Sequence, residues 1–197
     1  MGNFIVFIAT AMTALAIENA VFARALGLNK STLFLKSSKA GILYGGTMTF
    51  MVTITSMLVA LCNYRLLDVS FARAVRAPLF LVCTLIVYTL TYYTLKKFAP
   101  RLAGLVLPIL PVSTFNTALF GAFYISAMGH FTFIQTTGYA LGVGIGYTIA
   151  LLIIYYARKR LSISPVPRSF RGLPILLLYI GLLSLAIYGL IGHGLPA

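Results

Sequence analysis

One stretch, Leu107–Gly121, constrains the fold of this chain most strongly. It is an apolar segment interrupted by Pro108, Pro111, Ser113, Thr114, Asn116 and Thr117. A proline within a helix removes a backbone donor and clashes with the carbonyl group one turn earlier. Inside hydrocarbon, the backbone groups freed in this way must find partners within the protein. We therefore predict a broken or re-entrant helix whose polar middle faces a protein interior or a cavity.

A second stretch of the same kind lies near the N-terminus, at Ile17–Gly27. Its sequence, IENAVFARALG, places Asn19 among apolar residues and ends in a glycine. We interpret the chain as two halves, each built around one of these two polar interruptions.

The composition places both stretches in a membrane protein. The 197 residues are 60% hydrophobic and only 9% charged, and the mean hydropathy is +1.00. A soluble domain of this length does not have that balance, so we expect an integral membrane protein. The net charge of +13 comes from 15 Lys and Arg against 2 Asp and Glu. These cations lie in short connections between apolar spans, which indicates contact with anionic lipid headgroups and argues against nucleic acid binding.

Six apolar spans are predicted, and the fold class is all-α. They cover about residues 4–28, 40–61, 77–95, 102–127, 133–157 and 172–191, each near the ~20 residues that a bilayer requires. The first and fourth contain the interruptions, so we expect those two helices to be broken. The fifth carries Gly138, Gly142, Gly144 and Gly146, which predict a face for close helix packing.

The distribution of positive charge predicts the orientation. Of the 15 cations, 12 lie in the first, third and fifth connections, counting Arg24 with the first, and three lie in the second. The odd connections are therefore expected in the cytoplasm and both termini outside. Because each half has three helices, the halves must have opposite orientations. We predict a single domain of inverted repeats, about 1–97 and 98–197.

Several motifs occur in one order along the chain. They are Glu18–Phe22, Leu26–Leu28, Leu110-Pro111, Asn116, Ala118–Gly121 and Val166-Pro167-x-x-Phe170-Arg171-Gly172. In this order they resemble the six-helix membrane subunits that the Rnf electron-transport complex shares with the sodium-pumping NADH:quinone reductase. Within that family the pattern is closest to the A subunit of Rnf and the equivalent E subunit of the reductase, and it is also related to the paralogous Rnf E and reductase D subunits. The resemblance covers nearly the whole chain.

The resemblance implies a function within a complex. Subunits of this family pair with an oppositely oriented paralogue in the bacterial plasma membrane, and an iron–sulfur centre lies between them. That centre relays electrons between flavins on partner subunits, and electron flow is coupled to Na⁺ or H⁺ movement. The chain would then be a scaffold and a component of the ion and electron path, without catalytic residues of its own. The alternative is a stand-alone or homodimeric transporter on the same scaffold.

The chain departs from the family at both expected cluster ligands. In the family a cysteine follows the Leu-Gly-Leu of the first motif and another follows the asparagine of the second, whereas here these positions are Asn29 and Thr117. Thiolates are the usual ligands of iron–sulfur clusters. The chain's own cysteines, Cys62 and Cys83, lie elsewhere, and we expect them to be buried and unreactive. We therefore expect no cluster or metal to be bound through recognisable ligands of this chain.

Glu18 is the only acidic residue inside a predicted span, where an ionised carboxylate costs about 2.5–3.5 kcal/mol. It is either a cation-binding or proton-carrying group or a structural acid that is hydrogen-bonded or paired with an arginine. Asn19 and Asn116 either coordinate a cation or satisfy broken backbone, and the second role is favoured. Ser113 and Thr117 are expected to pack and to form hydrogen bonds.

The basic stretch before the last span, RKRLSISPVPRSFR, supplies two further candidates. Arg168 and Arg171 would contact lipid phosphate or a partner subunit. The simpler interpretation is that they are ordinary positive-inside anchors, because the whole connection is basic.

Overall fold

The computed structural model describes residues 2–29, 37–66 and 72–191, and within these ranges all regular structure is helical. Helix α1, Gly2–Met12, continues as a π-helical turn, Thr13–Ile17. The other helices are α2 (Ser38–Leu66), α3 (Ala72–Phe98), α4 (Pro100–Val106), α5 (Leu110–Thr114), α6 (Thr117–Met128), α7 (Phe133–Ile163) and α8 (Leu173–Ile191), and a 3-10 turn covers Arg168–Phe170.

Three of these helices are long and apolar enough to cross a membrane. The qualifying segments are Ser38–Cys62, Arg76–Phe98 and Phe133–Ile163. A fourth span is obtained if α4 and the helical stretch Leu110–Met128, which meet at a bend of 64°, count as one. The segments Gly2–Ile17 and Leu173–Gly189 are apolar but shorter. The prediction of an all-α protein with several membrane spans is confirmed, whereas six spans in inverted repeats stay a prediction.

The first predicted span, about 4–28, was expected to be broken at Ile17–Gly27. Regular helix ends at Ile17, so the helical part is shorter than the span. Residues 18–29 form irregular turns in which Ala25 and Gly27 have positive φ, at 52° and 78°. A helix cannot continue through two such residues.

The long helices extend beyond their predicted ends. α2 and α3 reach Leu66 and Phe98, and α7 continues to Ile163, so Arg158, Lys159 and Arg160 lie in the last turns of a helix rather than in a loop. The connecting segments 30–36 and 67–71 and the C-terminal segment 192–197 lie outside the described residues. The predicted sides of these connections and of the C-terminus are therefore untested.

The core is centred on α2 and α7, which form the largest contact between any two described helices. The side chains of Met48, Met51, Tyr147 and Leu151 are completely buried there. α1 lies along α7, and α8 packs on α7 through the buried Leu176 and Ile180.

Glycines allow α1 to approach α7 closely. The Cα atoms of Gly138, Gly142 and Gly146 face the backbone of α1, and any β-carbon there would collide with or crowd the carbonyl oxygens of Phe7, Ala11 and Leu15. Both sets of residues recur every four positions, so each lies along one face of its helix. The predicted packing role of the glycines in the fifth span is observed at these contacts.

Large apolar side chains cover the outside of the helix bundle. Phe4 on α1, Leu90 on α3 and Leu185 on α8 are each more than 60% exposed. An apolar exterior of this kind requires lipid or another subunit around it.

Candidate functional site at the two helix breaks

Asn19 holds the first break. Its amide oxygen accepts the backbone N–H groups of Val21 and Phe22, at 3.0 and 3.3 Å. Its amide nitrogen donates to the carbonyl oxygens of Leu15 and Gly146, at 3.0 and 3.1 Å. The side chain is only 6% exposed. It therefore satisfies backbone groups that the end of the helix leaves free, on its own segment and on α7.

Asn116 holds the second break in a similar way. It is the N-cap of α6, where its amide oxygen accepts the N–H of Ala118 at 3.0 Å. Its amide nitrogen donates to the hydroxyl oxygens of Tyr44 on α2 and Tyr147 on α7, both at 3.0 Å. Tyr44 in turn donates to the carbonyl oxygen of Val112 at 2.9 Å. This network closes the gap between α5 and α6 with buried partners.

Ser113 and Thr114 complete the end of α5. Both are completely buried, and both donate to the carbonyl oxygen of Leu110, at 3.0 and 2.7 Å. Their hydroxyl groups are used locally, which is the kind of contact expected for Ser113 from the sequence.

The two breaks, which are about 90 residues apart in the chain, meet at Gly27. Its N–H donates to the hydroxyl of Thr117 at 2.8 Å, and its carbonyl oxygen accepts from the Tyr147 hydroxyl at 2.8 Å. A β-carbon on Gly27 would collide with the ring of Tyr147 and would lie 2.9 Å from the amide oxygen of Asn116. The site therefore brings together Gly27, Asn116, Thr117 and Tyr147. Gly27 lies near the end of the first break, whereas Asn19 lies at its start.

Glu18 lies at the end of the π-helical turn, beside α7. One carboxylate oxygen accepts the Tyr139 hydroxyl at 2.8 Å and lies 3.2 Å from a guanidinium nitrogen of Arg24. Tyr139 is buried, while the side chains of Glu18 and Arg24 are 35% and 42% exposed. Glu18 is the only acidic residue among those that the structure describes. Its negative charge is compensated by Arg24, and Tyr139 donates a hydrogen bond to it.

Thr117 and Asn29, the positions at which the family resemblance leads us to expect cysteines, both lie at the surface near Gly27. Both residues are exposed, and the Asn29 N–H donates to the Gly27 carbonyl oxygen at 3.1 Å. Thr117 lines a mainly apolar groove of about 790 Å³. The other walls of this groove include Arg24, Leu26, Phe80, Phe120 and Tyr124.

The donor set at these positions does not fit an iron–sulfur cluster. It consists of one hydroxyl, already accepting from Gly27, and one amide. The two free cysteines lie on α2 and α3, Cys62 half-buried and Cys83 buried. Among the described residues no three His, Cys, Asp or Glu side chains group as metal ligands.

The two arginines of the last connection lie apart from the breaks. Arg168 is in the 3-10 turn and exposed. The Arg171 Nε donates to the Val166 carbonyl oxygen at 2.9 Å, next to a cavity of about 540 Å³ that Arg158 also lines.

Sequence reasoning missed the tyrosines of this site. Tyr44, Tyr139 and Tyr147 bond to residues 31 to 121 positions away, so no local pattern marks them. The sequence contains one signal for these tyrosines, at Gly146-Tyr147. There a phenol hydroxyl lies in an apolar span, next to a glycine on the packing face.

Apolar spans and two helix breaks held by buried amides define this chain as a multi-pass membrane protein. The sequence model of the family described as "Rnf-Nqr subunit, membrane protein" matches residues 7–193. The chain belongs to this Rnf-Nqr family of membrane subunits.

Named relatives are similar over most of their length. The A subunit of the Na⁺-translocating ferredoxin:NAD⁺ oxidoreductase complex of Acetobacterium woodii is 28% identical over 181 residues, which are 92% of this chain and 94% of that protein. The A subunit of the ion-translocating oxidoreductase complex of Aeromonas hydrophila is 30% identical over 176 residues, 89% of this chain and 91% of that one. The corresponding protein of Pectobacterium atrosepticum is 29% identical over 181 residues, 92% of this chain and 94% of that one.

Proposed function

We propose that this chain is a membrane subunit of an ion-translocating electron-transport complex of the Rnf type. The observation that carries the proposal is the similarity to the A subunits of such complexes over about nine-tenths of both chains. The geometry supports it, because Asn19 and Asn116, which hold the two breaks, lie in motifs on which the family resemblance rests. The complex, located in the bacterial plasma membrane with both termini of this chain outside, would carry the flavins on other subunits.

Glu18 is proposed as the acid of the ion path. It is the one described carboxylate, it lies at a helix break, and its side chain is one-third exposed. Embedded acids of this kind commonly take part in ion or proton movement. Asn19 and Asn116 are proposed to hold the backbone at the first and the second break, because the amide oxygen of each accepts a backbone N–H.

The chain is proposed to work without contributing a thiolate to a cluster. Asn29 and Thr117 lie at the surface around Gly27, where a partner subunit would face them. An electron relay at this place would need its ligands from elsewhere in the complex. The exposed Arg168 and Arg171 are proposed to contact lipid phosphate or that partner at the cytoplasmic side.

The groove lined by Thr117 is proposed as the contact with an oppositely oriented paralogue. A photo-reactive amino acid at Tyr124, which is 60% exposed in this groove, tests this in native membranes. We expect cross-links to another Rnf-Nqr membrane subunit. The matched control is Leu182, which is 59% exposed on α8 and should give far fewer cross-links to that subunit.

Two results would contradict this assignment. Cross-links from Tyr124 only to a second copy of the same chain would favour the homodimeric transporter. Equal yields from Tyr124 and Leu182 would mean that the groove is not a specific interface.

A further inference from the structure

A second cavity, of about 560 Å³, lies at the end of the bundle opposite the basic last connection. It is formed where α2 ends, α3 begins, α6 ends and α7 begins. By the charge distribution this end is predicted to face outside. Its walls combine aromatic side chains with a polar group consisting of Ser56, Arg76, Ser126, His130 and Thr136.

Arg76 is the charged member of this group. Its Nε is completely shielded and has no hydrogen-bond partner among the described residues. The single ion pair in the described part of the chain joins Arg24 and Glu18, so Glu18 is already engaged. The residue as a whole is half-buried. A partly shielded guanidinium is stabilised by an anion beside it, and the described part of the chain places none next to Arg76.

Positive-inside anchoring does not explain this arginine. Only three of the 15 cations lie in the second connection, on the side where the charge bias predicts few of them. Since Arg76 lies on this side of the chain and lines a cavity, we expect it to interact with an anion near the cavity.

The rest of the cavity wall suits an oxyanion. Ser56 and Thr136 are buried, at 3% and 7% exposure, and both line the cavity. No carboxylate of a described residue lines the cavity. Guanidinium and hydroxyl donors together are the usual ligands of phosphate, and the volume accommodates a phosphate group with several waters.

We propose that this cavity binds a phosphate oxyanion and that Arg76 is its charged ligand, with hydroxyl donors from Ser56 on α2 and Thr136 on α7. The oxyanion is either the head group of an anionic phospholipid, whose chains would follow the apolar wall, or free phosphate. The site is separate from the helix breaks and independent of the proposed electron-transport function.

The test uses the full-length chain purified in detergent. The midpoint of thermal unfolding is followed in rising inorganic phosphate against chloride of equal ionic strength, and in mixed micelles of phosphatidylglycerol against phosphatidylcholine. A ligand that binds only the folded state raises this midpoint. Stabilisation by phosphate alone identifies free phosphate, and stabilisation by phosphatidylglycerol alone identifies a lipid head group.

Variants assign the effect to the cavity. We expect Arg76→Gln to weaken the apparent affinity by at least about tenfold, because it removes a charge-assisted hydrogen bond. Thr136→Val, nearly the same shape, should weaken it less. Arg101→Gln removes an exposed charge on α4 and should change nothing. Asp68, the other acidic residue, lies outside the described residues, and Asp68→Asn should also leave binding unchanged.

Several outcomes overturn the proposal. One is a wild-type chain that neither phosphate nor phosphatidylglycerol stabilises. Another is an Arg76→Gln variant, folded by circular dichroism, that responds like the wild type. Tighter binding in Asp68→Asn would show that an internal carboxylate occupies the site. If Arg76→Gln fails to fold, the proposal is still tested by the stabilisation of the wild type and by the weaker binding expected of Thr136→Val.

Discussion

Gly27 joins the two helix breaks through both of its backbone polar groups. Its N–H and carbonyl oxygen bond to Thr117 and Tyr147, and its φ is 78°. Only glycine adopts this conformation without a steric cost, and only glycine leaves room for the Tyr147 ring. The closeness of the two breaks thus depends on the absence of one β-carbon.

Comparing alanine substitutions at Gly27 and Gly172 separates the cost of backbone strain from the cost of steric crowding. Gly27→Ala should destabilise the protein by about 2–5 kcal/mol, because a left-handed conformation costs about 1–2 kcal/mol and overpacking adds about 1–3. Gly172 is the matched control, since its φ is 89° but a β-carbon added there would have nothing within 4 Å. Gly172→Ala should cost only the backbone part. Equal losses in a detergent unfolding assay would contradict the crowding at Gly27.

Glu18 has a partner for its charge and a partner for its hydrogen bond, and they can be removed separately. Glu18→Gln keeps an acceptor for Tyr139 but removes the charge. We expect stability to change by less than about 1 kcal/mol, because the pair with Arg24 is partly exposed. Ion transport by the assembled complex should fall by more than about tenfold, because an amide neither carries a charge nor takes up a proton.

The control for Glu18 is Tyr139→Phe, which removes the hydrogen bond and keeps the carboxylate. It should retain ion transport, measured as uptake into membrane vesicles. Transport that survives Glu18→Gln, or that falls equally in both variants, would show that Glu18 has a structural role only.

At the scale of elements, the glycine face of α7 sets the position of α1. Gly142 lies against the Ala11 carbonyl, and a β-carbon on Gly142 would collide with that oxygen. The obstacle is backbone, so it cannot turn away as a side chain can. α1 would have to move, and the break that follows it would move as well.

Gly142→Ala should therefore lower stability by about 1–3 kcal/mol. Gly46→Ala on α2 is the control, because nothing lies within 4 Å of its β-carbon position. There alanine should be neutral or stabilising by up to about 1 kcal/mol, as its helix propensity is higher. The midpoints of thermal unfolding in detergent compare the two, and a neutral Gly142→Ala would contradict the close packing of α1 on α7.

The two breaks differ in how far the sequence predicts them. Pro108 and Pro111 lie where α4 ends and α5 begins, so that interruption follows from local chemistry. The interruption between α5 and Asn116 contains no proline. No proline marks the first break, which was predicted at Ile17–Gly27 from Asn19 and Gly27. There the regular helix is shorter than the predicted span. It ends at Ile17 because Asn19 caps the following turn and because Ala25 and Gly27 take positive φ, which depends on contacts with distant helices.

For the whole molecule, the chain belongs to the Rnf-Nqr family, and it carries Asn29 and Thr117 where the family resemblance predicts cysteines. The positions come together around Gly27 as Asn29 and Thr117, at the surface beside an apolar groove. The family resemblance suggests these positions, and the fold brings them together. We propose that the chain serves in an Rnf-type complex without providing thiolate ligands.

The most direct test is purification of the chain from its native membranes, with identification of the co-purifying proteins and measurement of iron. The account predicts flavoprotein and ferredoxin-like partners together with further Rnf-Nqr membrane subunits. It also predicts an iron content that is the same when Cys62 and Cys83 are both replaced by serine. A chain isolated as an iron-free homodimer would contradict the account and leave the transporter as the remaining interpretation.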